Sequence, residues 1–462
     1  MEVLKDAQGM PLVAVDADAV SAYDNCVVAY MGARADTRAL VDALLTDDPG
    51  CVLGHCLDGY LRLLAIKGSI VPLASDALSR ARAALPANAP RRESLHVAAL
   101  DAWTRGELRE AVSRLDQLLD EFPRDPVALK VSQFLLSYLG DSARMLATVA
   151  RVAHEWDAGV PGFGYVLGCH AYALEECGDY ANALALGSRA IELNPGDIWA
   201  AHAVAHVREM QGHLREGIEW IGELEPHWRT CGNFTLHLRW HEALFRLEMR
   251  QHDRVFALYD AEVRPSSTDE YLDVANAASL LWRLEQSDLD VGRRWHELAH
   301  VARTHVDDHA LVFVDMHYLM ALAAADDHAG VERFMASSER LVRERSDTEA
   351  LVMQSVGLPL ARAIVAHRQG AYDRAVQVLM PVRRRIRDVG GSHAQRDLFE
   401  QLLIDAALRA GDWAIAQELL AERTALRPRN AWGWRHYAVA MDATNTRDAA
   451  RARRTADLLL AS

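Results

Sequence analysis

Two histidine pairs stand out by their spacing, His202-x-x-x-His206 and, 35 residues further on, His237-x-x-x-His241. Side chains at i and i+4 share one face of an α-helix, a turn apart, so each pair can present two imidazoles to one point. Neutral imidazole is a ligand for divalent transition ions, and two such pairs on adjacent helices can offer four nitrogens to a single ion. Glu209, Glu242 and His317 are candidates to assist. Ala203 follows His202 where a zinc protease would carry Glu, so that motif is absent. The same imidazoles suit general acid–base work on a small bound molecule, because they titrate near neutral pH. They equally suit a polar lining in which histidines bond one another or water. With 20 histidines in the chain, a His-x-x-x-His pair also arises by chance, and all three readings stay open here.

The pairs need helices to hold them, and the punctuation of the chain supplies those helices. Apolar residues recur at helical spacing, and Ala and Leu dominate. Gly106-Glu107-Leu108 is followed by Ala111 and Pro123, and Gly178-Asp179-Tyr180 by Ala183, Ala190 and Pro195. Gly370-Ala371-Tyr372 leads to Ala375, and Gly411-Asp412-Trp413 to Ala416 and Pro428. Gly106 to Gly140 and Gly178 to Gly212 are each 34 residues, the tetratricopeptide period. In that unit the Gly breaks the chain between helices A and B, and the following Leu or aromatic packs into the pair. The Ala allows close helix approach, and the Pro ends helix B. Between Gly212 and Gly370 the punctuation degrades to Gln251-His252-Asp253 and Asp326-Asp327-His328, where less regular pairs are expected. The predicted fold is all-α: tetratricopeptide-like helix pairs in a single right-handed superhelix, closed or not around a central cavity. Residues 1–50 are expected to form an N-terminal helical cap, 51–430 the superhelix and 431–462 a C-terminal helical cap.

In such a superhelix the A helices line the concave side. The inward positions lie ten, six and three residues before the inter-helix Gly. This count selects His96, Leu100 and Trp103 before Gly106, and Lys130, Phe134 and Ser137 before Gly140. Before Gly178 it gives Gly168, Tyr172 and Glu175, and before Gly212 it gives His202, His206 and Glu209. Taking Gly68 as an earlier turn adds Asp58, with His55 on a neighbouring face, and taking Gln251 as a later turn adds His241. Seven residues before the Gly stand Ala99, Ala171 and Ala205, small as a packing face requires. His96, His202, His206 and His241 are therefore expected in one concave cavity, with Tyr172 and Glu175 beside them. Asp315-Met316-His317 and Trp103, Trp199, Trp240 and Trp282 read as structural. Gln395-Arg396-Asp397 reads as an Arg–Asp pair between helices, with an anion contact as the other option.

Composition narrows the classes. The 462-residue chain is 50% hydrophobic and carries a net charge of −15. Nucleic-acid binding rests on a basic surface, and the densest basic run, Arg383-Arg384-Arg385 with Arg387, reads as a solvated helix face, so no nucleic acid is expected. Lys is almost absent, with Lys130 one of only three. Six cysteines without a C-x-x-C pair read as reduced thiols. No signal peptide and no apolar stretch of about 18 residues is apparent, so the expected location is cytoplasmic and no membrane partner is expected. P-loop, G-x-S-x-G and dinucleotide fingerprints are missing.

Several stretches resemble tetratricopeptide repeat protein 38 and its bacterial relatives. They are Arg92-Glu93-Ser94-Leu95-His96-Val97, Trp199 through His206, Val291-Gly292-Arg293-Arg294-Trp295, Val356-Gly357-Leu358-Pro359-Leu360, and Gly390-Gly391-Ser392-His393-Ala394-Gln395-Arg396-Asp397. They span about residues 20 to 425, and His393 stands where that family is expected to have Asn. The resemblance implies a helical-repeat fold and no particular activity. The functional expectation is a repeat protein binding a small molecule or peptide in a His-rich concave cavity. The alternative is an enzyme using His202, His206 and His241 as metal ligands or acid–base groups. A divalent metal is the cofactor the pattern admits, with His202, His206, His237 and His241 as its ligands, and self-association is left open.

Overall fold

The computed structural model describes residues 2–445 and 448–461. An antiparallel hairpin of β1 (Glu2–Lys5) and β2 (Pro11–Ala14) comes first. Helix pairs follow: α1 (Ala17–Met31) with α2 (Thr37–Asp47), α3 (Val52–Leu63) with α4 (Val71–Ala84), and α5 (Arg91–Thr104) with α6 (Leu108–Glu121). Next come α7 (Pro126–Tyr138) with α8 (Ser142–Val152), α9 (Phe163–Glu176) with α10 (Tyr180–Leu193), and α11 (Ile198–Gln211) with α12 (Leu214–Leu224). Then come α13 (Phe234–Glu248) with α14 (His252–Leu258), α15 (Tyr271–Glu285) with α16 (Arg294–Ala302), and α17 (Val312–Ala324) with α18 (His328–Glu344). Helix α19 (Thr348–Val352) runs through a π-helical turn into α20 (Leu358–Arg368), which pairs with α21 (Tyr372–Leu379). Last are α22 (His393–Ala410) with α23 (Trp413–Leu426), and α24 (Ala431–Ala443) with α25 (Ala449–Ala461). The fold is an all-α tetratricopeptide-like superhelix.

One backbone device recurs at the turns. The residue after helix A adopts a left-handed conformation, its N–H bonding back three residues, as at Gly106 (φ 78°), Gly140 and Gly178. Between Gly212 and Gly370 the same position is held by Arg250 (φ 58°), Asp288 (φ 58°) and Asp326 (φ 56°), and earlier by Ile66 (φ 51°). These non-Gly residues explain the degraded punctuation. They also shift two expected registers, since the turn residues are Arg250 and Ile66, not Gln251 and Gly68. The small residues sit as expected: Ala99, Ala171, Ala183 and Ala205 are completely buried. Ala183→Leu should overpack the α9–α10–α11 contact and cost roughly 1–3 kcal/mol, read as a lowered melting temperature.

The chain meets itself. Arg396 on α22 pairs with Glu176 on α9 at 3.1 Å, and Arg283 on α15 donates to the Ala394 carbonyl at 2.8 Å. The Thr348 N–H reaches the Gly106 carbonyl. Side chains fill the axis, so the superhelix surrounds a packed core with small cavities. Residues 2–14 form a hairpin where helix was expected. Val3 and Val13 suit strand, and Gly9 (φ 79°) makes the turn. The hairpin is bolted to α5: Arg92 bonds Asp6 and the Pro11 carbonyl, and Glu93 accepts from the Val13 N–H. Against expectation, one run, Thr348–Arg368, is long and apolar enough by length and composition to cross a membrane. Most of it is buried inside the array, as befits a core helix.

Candidate metal centre

Helices α11 and α13 pack side by side and bring both histidine pairs together. Ring centroids lie 4.2 Å apart for His202–His206, 4.9 Å for His202–His237, 4.6 Å for His206–His241 and 4.8 Å for His237–His241. One nitrogen from each ring falls within 4.8 Å of all the others. A tetrahedral zinc shell with Zn–N near 2.0–2.1 Å needs nitrogens about 3.3 Å apart, so small ring movements close the set. All four side chains are at most 3% exposed.

What surrounds the rings fixes which nitrogen faces inward. His206 Nδ1 lies 3.1 Å from Glu175 Oε2, and His241 Nδ1 lies 3.0 Å from Glu209 Oε2. His237 Nδ1 lies 3.0 Å from Asn276 Oδ1 on α15. These partners only accept, so each of the three Nδ1 atoms carries its proton and donates. The Nε2 atoms of His206 and His241 are buried and have no hydrogen-bond partner among the described residues. His202 Nε2 sits 3.1 Å from His237 Nε2, an acceptor, so His202 donates there and its buried Nδ1 is left without a partner. A buried polar atom without a partner costs about 1–3 kcal/mol. Three of the cluster's nitrogens are of this kind. A carboxylate or amide behind an imidazole is also the outer shell that metal-binding histidines carry, fixing tautomer and ring orientation.

Charge follows the same plan. Burial, then repulsion from neighbouring imidazoles, pushes His202 well below its usual pKa, and the same two causes do so for His237. Burial, then His206 and Arg283, does so for His241. These three are neutral at pH 7. Burial opposes the charged form of His206 too, but Glu175, with Glu176 and Glu209, outweighs it and raises the pKa. Tyr172 packs on the cluster, 5.6 Å from the His202 ring and 5.7 Å from His206. Lys130 is buried with its ammonium 3.6 Å from the Trp199 ring, and burial lowers its pKa. It stands on the flank of the cluster beyond Trp199.

Several expected members sit elsewhere. His96 shares the sequence offset of His202 but belongs to another bundle layer, where it contacts Asp125 at 3.0 Å and Tyr60 at 3.2 Å. His55 bonds the Pro49 carbonyl, and Asp58 pairs with Arg38, Arg62 and Arg80. With the turn at Ile66, Asp58 falls off the inward stripe. His317 donates Nδ1–H to the Phe313 carbonyl and packs against Phe399, away from the four imidazoles. Glu242 pairs with Arg239 and Arg246. The four rings lie in buried core, where the lining of a concave cavity was expected. Asn276 was missed by the sequence reading: it lies twelve residues before the turn residue Asp288, off the offsets of ten, six and three. Arg396 and Asp397 do not pair with each other: Arg396 joins Glu176, and Asp397 takes Arg423.

No protein-family model matches the chain. Among solved structures, the human IFIT1 dimer with PPP-AAAA is 13% identical and covers 89% of this chain and 91% of its own, with a TM-score of 0.41. The APC/C hetero-tetramer Cut9–Hcn1 is 12% identical over 81% and 80%, with a TM-score of 0.27. Naa15/Naa10 bound to HypK-THB is 13% identical over 95% and 68%, with a TM-score of 0.26. The chain is a tetratricopeptide-like helical-repeat protein.

Proposed function

We propose that the four imidazoles hold one divalent transition ion, zinc by preference, at the centre of a ligand-binding repeat protein related to tetratricopeptide repeat protein 38. The observation that carries this is the set of buried, unpartnered nitrogens converging inside a shell of Nδ1 acceptors. Four imidazoles suit zinc or another late first-row ion, and they fill a tetrahedral shell with no position left for water. Such a closed centre ties A helices together and does not activate substrate. Glu175 and Glu209, one bond behind the imidazoles, supply two carboxylates to balance the ion's charge. The enzyme reading needs one imidazole to step aside. His202 is the ring with no carboxylate or amide behind it, yet at 3% exposure it has no visible access for substrate.

Elemental analysis of exhaustively dialysed protein tests the proposal. One equivalent of zinc per chain is expected at pH 7.5. An ion must displace the proton from the inward nitrogen of His206, whose pKa is raised, so ion binding releases a proton and strengthens as pH rises through that value. Acidification below neutrality should therefore release the ion. Protein that binds no zinc, cobalt or nickel when reconstituted at pH 7.5 would overturn the reading.

A further inference from the structure

A second site lies where the middle helices of the array face its C-terminal helices. A cavity of about 300 Å³ opens between the C-terminal ends of α11, α13 and α15 on one side and α22, α23 and α24 on the other. That volume is at the lower end of small-molecule sites. Six guanidiniums line it, those of Arg250, Arg283, Arg423, Arg427, Arg429 and Arg435. Facing them are four carboxylates, from Glu209, Glu248, Asp288 and Asp397. The wall thus has a local excess of two positive charges in a chain whose net charge is −15.

The pairing inside the wall shows where the excess sits. Asp397 is consumed by Arg423 in a two-pronged contact of 2.5 and 3.0 Å, and it also takes Arg427 at 3.0 Å. Glu209 takes Arg427 at 3.4 Å with one oxygen and His241 with the other. Glu248 accepts from the Asn430 amide and the Trp432 N–H, Asp288 is exposed, and none of the four carboxylates pairs with Arg283. Its guanidinium is 5% exposed and bonds only the carbonyls of Ser279 and Ala394, and no carboxylate among the described residues lies within 4.0 Å. Burial, opposed by Asp397 and Glu209 and reinforced by Arg427 and Arg423, pulls its pKa down to about 10. Arg435 pairs with no described carboxylate, and its Nε is buried without a partner. Gln286, 91% buried, lines the same cavity with both amide atoms unpartnered. A buried guanidinium without a counter-ion is strongly disfavoured, and one that persists beside a cavity calls for an anion in that cavity. Trp432 and Leu244 add an apolar wall.

We infer that this cavity binds a small organic dianion. Its acidic end lies between Arg283, Arg435 and the Gln286 amide, and its body lies against Leu244 and Trp432. A phosphate monoester and a dicarboxylate share this chemistry. Arg427 and Asp397 hold the wall in shape. None of the four imidazoles lines this cavity, and binding of the anion is read without zinc, so its failure and that of the ion site are distinguishable.

The test is calorimetric titration and thermal shift of the full chain with inorganic phosphate, phenyl phosphate and succinate, against chloride at matched ionic strength. At least one of the three dianions is expected to bind and raise the melting temperature. A preference for the phosphates would identify a phosphate ester as ligand, and one for succinate a dicarboxylate. Arg435→Gln, on the partly exposed rim, should weaken the anion about tenfold or more, the scale of one charge-assisted contact, with the melting temperature of free protein unchanged. Arg283→Met removes the uncompensated buried charge. It should leave the free protein as stable as before or more so, while abolishing the anion response. Phosphates and succinate no better than chloride, or Arg283→Met binding as well as the parent, would overturn the proposal.

Discussion

Replacing His202 with Ala should lower zinc affinity by more than about 100-fold, beyond the 10–100-fold that loss of an outer partner causes. His202 is the cleanest of the four to remove. Its ring bonds only His237, so Ala strands no buried carboxylate, whereas removing His206 or His241 would leave Glu175 or Glu209 without its partner. The stability of ion-free protein should change little, because the unpartnered His202 Nδ1 is removed while His237 Nε2 loses its donor, leaving the number of unpartnered nitrogens the same. The stability of the loaded protein should separate sharply. An ion at about 1,000 times its dissociation constant stabilises the folded chain by about 4 kcal/mol, and a variant weakened about 100-fold forfeits about 2.7 kcal/mol of that at the same free zinc. Glu175→Gln and Glu209→Gln should fall between, at about 10–100-fold, because they loosen a ring without deleting a ligand. Melting with and without chelator reads all three. If His202→Ala kept wild-type affinity, the four-imidazole shell would be wrong. If it unfolded the ion-free protein, the cluster would be core packing.

Arg92→Ala should be the most damaging single change to the fold, at roughly 3–5 kcal/mol. The guanidinium is wholly buried and bonds Asp125 at 2.6 Å and Asp6 at 2.6 Å. Asp125 also caps α7 through the Ala128 N–H and accepts from His96. Burial alone would raise the Asp125 pKa, but Arg92 and then His96 outweigh it and hold the carboxyl below its usual range. Removing Arg92 leaves two buried carboxyls to take up protons or water. The hairpin loses its bolt to α5, since Arg92 also reaches the Pro11 carbonyl. Urea unfolding should show the loss, and amide exchange in residues 2–14 should rise first. A variant with parental exchange in the hairpin would refute this assignment.

The second case shows what the sequence could and could not convey. The Arg92–Val97 stretch was visible as a motif, and its role is structural, yet nothing local revealed Asp6 as the partner 86 residues away. The helix pairs were legible wherever Gly occupies the left-handed turn. They blurred where Arg250, Asp288 and Asp326 accept the same conformation, because a non-Gly residue there leaves no trace in the pattern. Both histidine pairs were legible because i, i+4 spacing on neighbouring A helices is local information. Their burial was not, since it depends on the superhelix closing so that α22 covers α9 and α15. The offset rule failed for His96 for a related reason: it finds a helix face, not the layer of the array to which that face belongs. The arginine cavity is assembled from residues 209 to 439 across two turns, and no spacing encodes it.

The central claim is that one ion sits among four specific nitrogens, and anomalous diffraction from crystals of the zinc-loaded chain tests it most directly. Data on either side of the zinc absorption edge should give a single strong peak within about 2.0–2.1 Å of the inward Nε2 atoms of His206, His237 and His241 and of one nitrogen of His202. No peak among these rings, or a peak held instead by Glu175 and Glu176, would contradict the account.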